Sequence, residues 1–263
     1  MPSNTYITYT HMKQKLIFLL MATALTMGFV ACGDDDDDLV INKPGAINER
    51  NFPDAKFREW LMSQPFGKDS VLTEEEIANV TSIDVSNMGI KSLQGIEAFK
   101  ALVELNCYGN QLIGLKFPDN PNLTILRCWN SQLPSLDVSA NTKLKQLWCG
   151  NNKLEVLNVS QNLQLEILSC HTNRLTSLDL SQNKELSELY FYSNQIRGSD
   201  MGLTIKRLNK PEHVAPGYLY AIYRPNERNL MSVSNVEAAK AKGWKVLYSE
   251  GNDWLDYAGE RVE

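Results

Sequence analysis

Residues 144–164 read LKQLWCGNNKLEVLNVSQNLQ, and the same leucine frame recurs every 21 residues, at Leu102, Leu123, Leu144, Leu165 and Leu186. The unit is L-x-x-L-x-C-x-x-N-x-L-x-x-L-x-V-S-x-N-x-x. It holds a copy of itself, because the spacing of Leu144, Leu147, Cys149 and Asn152 recurs at Leu154, Leu157, Val159 and Asn162. One such unit is too small to bury its own apolar face, so successive units must stack into a solenoid. Within L-x-x-L-x-C the leucine and cysteine sit two apart, which predicts one short strand per unit with both side chains inward. Identical units in succession predict that these strands run parallel.

Working toward the amino terminus, Ile83, Val85, Ile90 and Leu93 continue the spacing in weakened form, so the repeats are expected over 80–197. Atypical end repeats suit the closing of a stack. Before them, residues 47–79 read as a helical cap. Pro53 suits a first helical turn, Phe57 and Leu61 share a face at i, i+4, and Thr73-Glu74-Glu75-Glu76 opens a second helix as a capping box. The helix, loop, helix order invites comparison with a calcium-binding EF-hand. The comparison fails at the ligands, since the first position would be Pro65, the third Gly67 and the central glycine Ser70. The segment is therefore a degenerate version, and no metal site is expected.

Past Ile196 the periodicity stops, and residues 198–263 read as a small α/β cap. Gly217 to Tyr223 is expected as a strand. Ser234-Asn235-Val236-Glu237 is expected as a capping box opening a helix through Lys240. Gly243 then stops the helix, and Trp244 to Tyr248 forms another strand.

The first 31 residues read as a signal peptide: Lys13 and Lys15 precede an uncharged run from Leu16 to Ala31, too short for a typical membrane span. The natural start is expected at Met12, with 1–11 a misassigned extension. Cys32, Gly33 and the five aspartates Asp34 to Asp38 follow, and 32–46 is expected to be an acidic, disordered linker. Phe29-Val30-Ala31-Cys32 resembles the lipobox of bacterial lipoproteins, although Phe29 stands where leucine is usual. The resemblance implies that Cys32 is acylated and becomes the mature amino terminus, a lipid anchor to a membrane. The aspartate run resembles the acidic tag of surface-exposed Bacteroidetes lipoproteins, which implies the outer membrane or cell surface.

The chain has 263 residues, 43% of them apolar, ample for a buried core. Its formal net charge of -5, without a basic block, argues against nucleic acid as a partner. Four of the five cysteines, Cys107, Cys128, Cys149 and Cys170, occupy one position of successive repeats, and Phe191 takes that position next. A site that accepts both Cys and Phe is an apolar core site, so these are expected as stacked, buried small hydrophobes. A straight ladder cannot wrap tetrahedrally around zinc, whereas a strained disulfide stays open on distance alone.

With Asn51-Phe52-Pro53-Asp54, the repeats from Leu102 to Asn194 and Ala238-Ala239-Lys240-Ala241-Lys242-Gly243-Trp244 in view, the chain resembles the Bacteroidetes leucine-rich-repeat surface lipoproteins with a nested 21-residue repeat. The fold expected is an α/β leucine-rich-repeat solenoid of short parallel strands, with a helical cap before it and a small α/β cap after it. The wider class implies binding rather than catalysis.

Strand alternation sends the neighbours of each inward Leu and Cys to solvent. Down the stack these are Asn106 and Tyr108, Arg127 and Trp129, Trp148 and Gly150, Ser169 and His171, then Tyr190 and Tyr192. Five of these ten are Tyr or Trp in a chain that is 9% aromatic. The equivalent positions of the second half-repeat, Lys116, Asp137, Asn158 and Asp179, are all polar. Tyr108, Arg127, Trp129, Trp148, His171, Tyr190 and Tyr192 are therefore the candidate ligand-binding residues, since Trp, Tyr and Arg are enriched at hot spots. Stacking between coils for stability is the structural alternative. The repeated asparagines Asn110, Asn152, Asn173 and Asn194, with Asn120, Asn141, Asn162 and Asn183, are expected to hold the coil bends, and Ser131 interrupts the series.

Catalytic readings find no support. Cys170 and His171 are adjacent in sequence, but alternation puts sulfur in the core and imidazole outside, so they form no dyad. No P-loop, zincin or nucleophile-elbow motif occurs. No cofactor is expected. The function expected is a non-catalytic, monomeric, lipid-anchored module for protein interaction or adhesion. A glycan-binding surface lipoprotein and a structural spacer are the alternatives.

Overall fold

The computed structural model describes residues 45–115, 120–211, 213–223, 227–250 and 253–259. The signal segment, Cys32, the aspartate run and Lys116 lie outside the described residues.

An amino-terminal cap comes first, with helix α1 (Ala55–Ser63), a 3-10 turn (Pro65–Gly67) and helix α2 (Glu74–Ile77). Asp54 caps α1, accepting from the Lys56 and Phe57 amides, so Pro53 stands just outside the helix rather than in its first turn. The second carboxylate oxygen of Asp54 accepts from Lys91 N at 2.7 Å and Ser92 N at 3.2 Å, tying the cap to the first coil. Phe57 and Leu61 are fully buried on one face. Thr73 and Glu76 complete the capping box of α2. Gly45 and Ala46, expected at the end of a disordered linker, are already held. Leu72 N donates to Gly45 O at 2.8 Å, Asn51 Nδ2 donates to Ala46 O at 2.9 Å, and Ala46 is 1% exposed.

Strands β1 (Ser82–Asp84), β2 (Glu104–Asn106), β3 (Ile125–Arg127), β4 (Gln146–Trp148), β5 (Ile167–Ser169) and β6 (Glu188–Tyr190) then pair parallel, one per coil. Their register sets Leu105, Leu126, Leu147, Leu168 and Leu189 in one line. The fold is thus the expected solenoid of short parallel strands. Cys107, Cys128, Cys149 and Cys170 form a second buried line, all free thiols, continued by Phe191. Burial pushes the Cys149 thiol up to about 12, so the column behaves as hydrophobic packing.

Three residues past each of these strands a left-handed residue turns the chain, among them Gly109 (φ 68°), Asn130 (56°), Asn151 (49°), Thr172 (52°) and Ser193 (54°). The residue after it supplies the ladder amide. Asn152 Nδ2 donates to Cys128 O at 3.0 Å and Cys149 O at 3.1 Å, while its Oδ1 accepts from Leu133 N at 3.1 Å. Inward-facing backbone groups at the bend are satisfied by side chain instead of water. The second ladder shares the donating half of this arrangement, with Asn162 Nδ2 donating to Val138 O at 3.0 Å and Asn141 O at 2.9 Å, while its buried Oδ1 has no partner among the described residues. Ser131 is too short to reach these groups, and its buried hydroxyl has no partner among the described residues.

After Ile196 the chain inserts helix α3 (Gly198–Arg207), which the sequence reading missed. Strand β7 (Gly217–Tyr223), helix α4 (Val233–Ala241), strand β8 (Trp244–Glu250) and antiparallel β9 (Asp253–Asp256) follow. The sheet continues unbroken through nine strands, β6 pairing with β7 and β7 with β8, both in parallel. Solenoid order therefore persists past the end of the sequence period. Asn229, 2% exposed, carries on the first asparagine ladder, with Oδ1 accepting from Ile196 N at 3.0 Å and Nδ2 donating to Phe191 O at 2.9 Å. Asn209 carries on the second, donating to Leu180 O at 2.9 Å. The cap of α4 is Ser232, in extended backbone and accepting from Asn235 N at 3.2 Å, so Ser234 lies inside the first turn. Lys242 closes the carboxy end of α3, its Nζ donating to the carbonyls of Ile205, Lys206 and Leu208 at 3.1, 2.6 and 2.7 Å.

Candidate functional site

The outer face of the sheet holds all seven candidate residues. Strand register arranges them in two columns. Arg127, Trp148, Ser169 and Tyr190 follow one another in the first. In the second, two residues further along each coil, come Tyr108, Trp129, Gly150, His171 and Tyr192. Trp129 is 37% exposed, and the other six candidates are partly buried.

These rings stack on one another along the solenoid. Tyr108 and Trp129 lie 4.6 Å apart at 4°, His171 and Tyr192 4.5 Å apart at 8°. Tyr190 stacks on Tyr220 at 4.0 Å and 4°. Trp148 and Tyr190 lean together across Ser169, 5.8 Å apart, which explains why Ser169 is 2% exposed instead of open to solvent as alternation alone predicts. Each stacked contact covers one face of each ring, so less ring face stays open to solvent. The platform is thus narrower than the sequence implies, and stiffer, since each stacked pair is worth about 0.5–1.5 kcal/mol beyond its burial.

Four aromatics of the carboxy-terminal cap enlarge the cluster. Tyr218 and Tyr220 alternate outward from β7, which their spacing could have revealed. Tyr223 reaches the face because the pairing of β7 with β8 shifts between Tyr220 and Ile222, which resets the alternation. Trp254 folds back on β9 to meet Tyr192 at 5.3 Å and the edge of Tyr220 at 4.9 Å, a contact with no signal in the sequence.

Charge on this face is largely paired. The Arg127 guanidinium bonds the Glu104 carboxylate from the preceding strand. Asn106 Nδ2 donates to Asp84 Oδ2 at 3.0 Å, and the Tyr190 hydroxyl to Glu188 Oε2 at 2.9 Å. Burial pushes His171 down to about 4, and burial, then Tyr223 and Glu227, push Tyr192 up to about 12. His171 is accordingly neutral at pH 7. Its folded pKa lies below its unfolded value, so the unfolded chain takes up a proton that the fold refuses. The stability tied to this residue is complete above about pH 6.5 and is lost as pH falls toward 4. An NMR titration of the His171 ring should give a midpoint near 4 in the native protein, against about 6.5 in urea.

The opposite positions are polar for a local reason. Asp137, Asn158 and Asp179 each accept from the amide two residues on, at Ser139, Ser160 and Ser181, all at 3.0 Å. They are turn-forming residues, which separates them chemically from the aromatic face. Cys170 is fully buried and His171 lies on the outer face. Among the described residues, no group of three or more His, Cys, Asp or Glu side chains could hold a metal.

No family model matches the chain, and no curated protein matches it. Solved structures do. The functional domain of InlJ from Listeria monocytogenes, described as including a cysteine ladder, is 27% identical over 79% of this chain and 48% of its own, with a TM-score of 0.53. A leucine-rich-repeat protein of Leptospira interrogans is 21% identical over 69% of this chain and 46% of its own, TM-score 0.52. Internalin C2 of Listeria monocytogenes is 16% identical over 79% of this chain and 98% of its own, TM-score 0.52. The chain thus spans about half the length of the first two. Together with the nine-stranded sheet and its asparagine ladders, these likenesses identify the fold as that of a leucine-rich-repeat solenoid.

Proposed function

We propose that this chain is a non-catalytic binding module that takes a protein partner on its aromatic sheet face, held at the cell surface by an acylated Cys32. The observation that carries the reading is the set of stacked ring pairs on this face, fixed before any partner arrives, with Trp129 37% exposed between Tyr108 and Gly150. Side chains already fixed by stacking lose little entropy on association, so contact area converts to affinity more efficiently. Likeness to internalin folds agrees with a protein-interaction role.

The test is a screen of residues 33–263, lacking the acyl acceptor, against immobilised extracellular-matrix proteins and, in parallel, a glycan array. Saturable protein binding with silent glycans supports the reading. Glycan binding alone would make this a carbohydrate-capture protein, and silence on both would leave a spacer. For the anchor, the full chain expressed in a Gram-negative host should partition into detergent on phase separation, and Cys32→Ser should move it to the aqueous phase.

A further inference from the structure

The sheet closes on itself at neither end, and at its carboxy-terminal end the last strand in the order is β9. Tyr257 N donates to Val246 O at 2.9 Å, which makes Val246 and Tyr257 a hydrogen-bonded pair of the antiparallel β8–β9 ladder. Backbone groups alternate along a strand. Asp253 and Leu255 therefore turn theirs to β8, whereas Trp254 and Asp256 turn their N–H and C=O groups away from it. Among the described residues no strand and no loop backbone bonds these outward groups. An edge of this kind is a template for another strand.

The side chains of the edge are unfinished too. Leu255 is 42% exposed, although Tyr248, directly opposite it on β8, packs against the continuous core. Charge guards many natural edges, and Asp253 and Asp256 stand at the two ends of this one. The second of them is already paired, its Oδ1 lying 3.3 Å from Lys245 Nζ.

Self-pairing can be examined register by register, because outward residues must meet outward residues. Asp256 against Asp256 opposes like charges, which is unfavourable. Trp254 against Trp254 satisfies only that residue and carries Asp256 past the end of the facing strand. Trp254 against Asp256 satisfies both residues of both strands, puts no carboxylate directly opposite another and brings Leu255 against Leu255. The edge is thus self-complementary in one register.

We propose that β9 pairs antiparallel with β9 of a second copy of this chain, about a two-fold axis normal to the sheet between the two Leu255 residues. The sequence alone leads to a monomer. Pairing takes the exposed leucine of each copy out of water beside Tyr248 and satisfies the outward backbone groups. A continuous sheet keeps its sides, so the two aromatic faces come to lie on the same side of one double-length solenoid. The contact is isologous and small, which places it among weak, concentration-dependent associations.

Sedimentation velocity of the purified full chain tests this without any other partner, and the mass should rise toward twice that of one chain between about 1 μM and 1 mM. Leu255→Lys sets like charges face to face on the axis and should weaken association about tenfold or more. Asp256→Pro should do the same while leaving the β8–β9 ladder in place, because proline removes an N–H that faces away from β8. Register is read by disulfide trapping in a Cys32→Ser background, where Cys107, Cys128, Cys149 and Cys170 are buried. Leu255→Cys should crosslink two copies under copper phenanthroline and air, since Cα atoms of a non-hydrogen-bonded antiparallel pair lie about 4.5 Å apart, within reach of a disulfide. Asp253→Cys should not. A mass that stays that of one chain at the highest concentration overturns the proposal. So does a dimer that persists in Leu255→Lys, or one that is trapped through Asp253→Cys as readily as through Leu255→Cys. A single chain with a successful protein screen leaves the aromatic face as the binding surface and removes only the dimer.

Discussion

Glu227→Ala should detach the carboxy-terminal cap from the last repeat and cost about 2 kcal/mol or more of stability. The Glu227 carboxylate accepts from four backbone amides: Ser193 N at 2.9 Å to each oxygen, Tyr223 N at 2.8 Å, Arg228 N at 2.9 Å and Asn229 N at 2.7 Å. Ser193 belongs to the bend of the β6 coil, and Tyr223 ends β7, so one side chain closes the junction where the sequence period breaks down. Alanine removes the acceptor from four donors; the Tyr223 and Arg228 amides are exposed and turn to water, while the partly buried Ser193 and Asn229 amides each cost roughly 1–3 kcal/mol unless water enters. Entering water recovers part of that loss, which sets the lower bound given.

Two measurements check this. Urea unfolding gives the loss in free energy, and hydrogen exchange should show the amides of 193, 223, 228 and 229 losing protection together, ahead of the repeats. Glu227→Gln should fall between, because its amide nitrogen must face a donor and can accept from none. A loss below about 1 kcal/mol in the alanine variant would mean that the cap is held by the continuous apolar core that runs through the junction instead.

The same junction marks the limit of what the sequence disclosed. Where the period holds at 21, strand positions, inward Leu and Cys and the bend asparagines all follow, because identical backbones stacked in register place identical residues identically. Past Ile196 the insertion of α3 separates Asn194 from its successor Asn229, so spacing no longer betrays a ladder that the fold still keeps. Helix α3 was itself obscured by Gly198 and Gly202, poor helix formers whose helix is sustained by burying Met201 and Ile205 and by the Lys242 cap. On the aromatic face, alternation gives the side of the sheet and says nothing of rotamers. That rings lie face to face, that Ser169 sits covered and that Trp254 folds back are all outcomes of packing between coils.

Replacing both Trp129 and Trp148 by alanine should abolish partner binding, a loss of more than about 100-fold if each behaves as a hot-spot aromatic worth 2 kcal/mol or more. Stability should fall by a smaller amount, since both side chains lie outside the continuous buried core and each contacts one described ring, Tyr108 or Tyr190. About 2–3 kcal/mol in total is expected from two lost stacks with their area. Surface plasmon resonance on a partner found by the screen, beside thermal unfolding of the same sample, separates the two quantities. The double phenylalanine variant sharpens the reading. Phenylalanine restores a stacking ring at both rungs and therefore most of the stability, yet it lacks the indole area and the N–H, so binding should return only in part. Stability and affinity recovering in step would mean that the rings act solely by stiffening the sheet. An alanine variant that fails to fold would make the columns structural, and one that binds like the native chain would move the binding surface off this face.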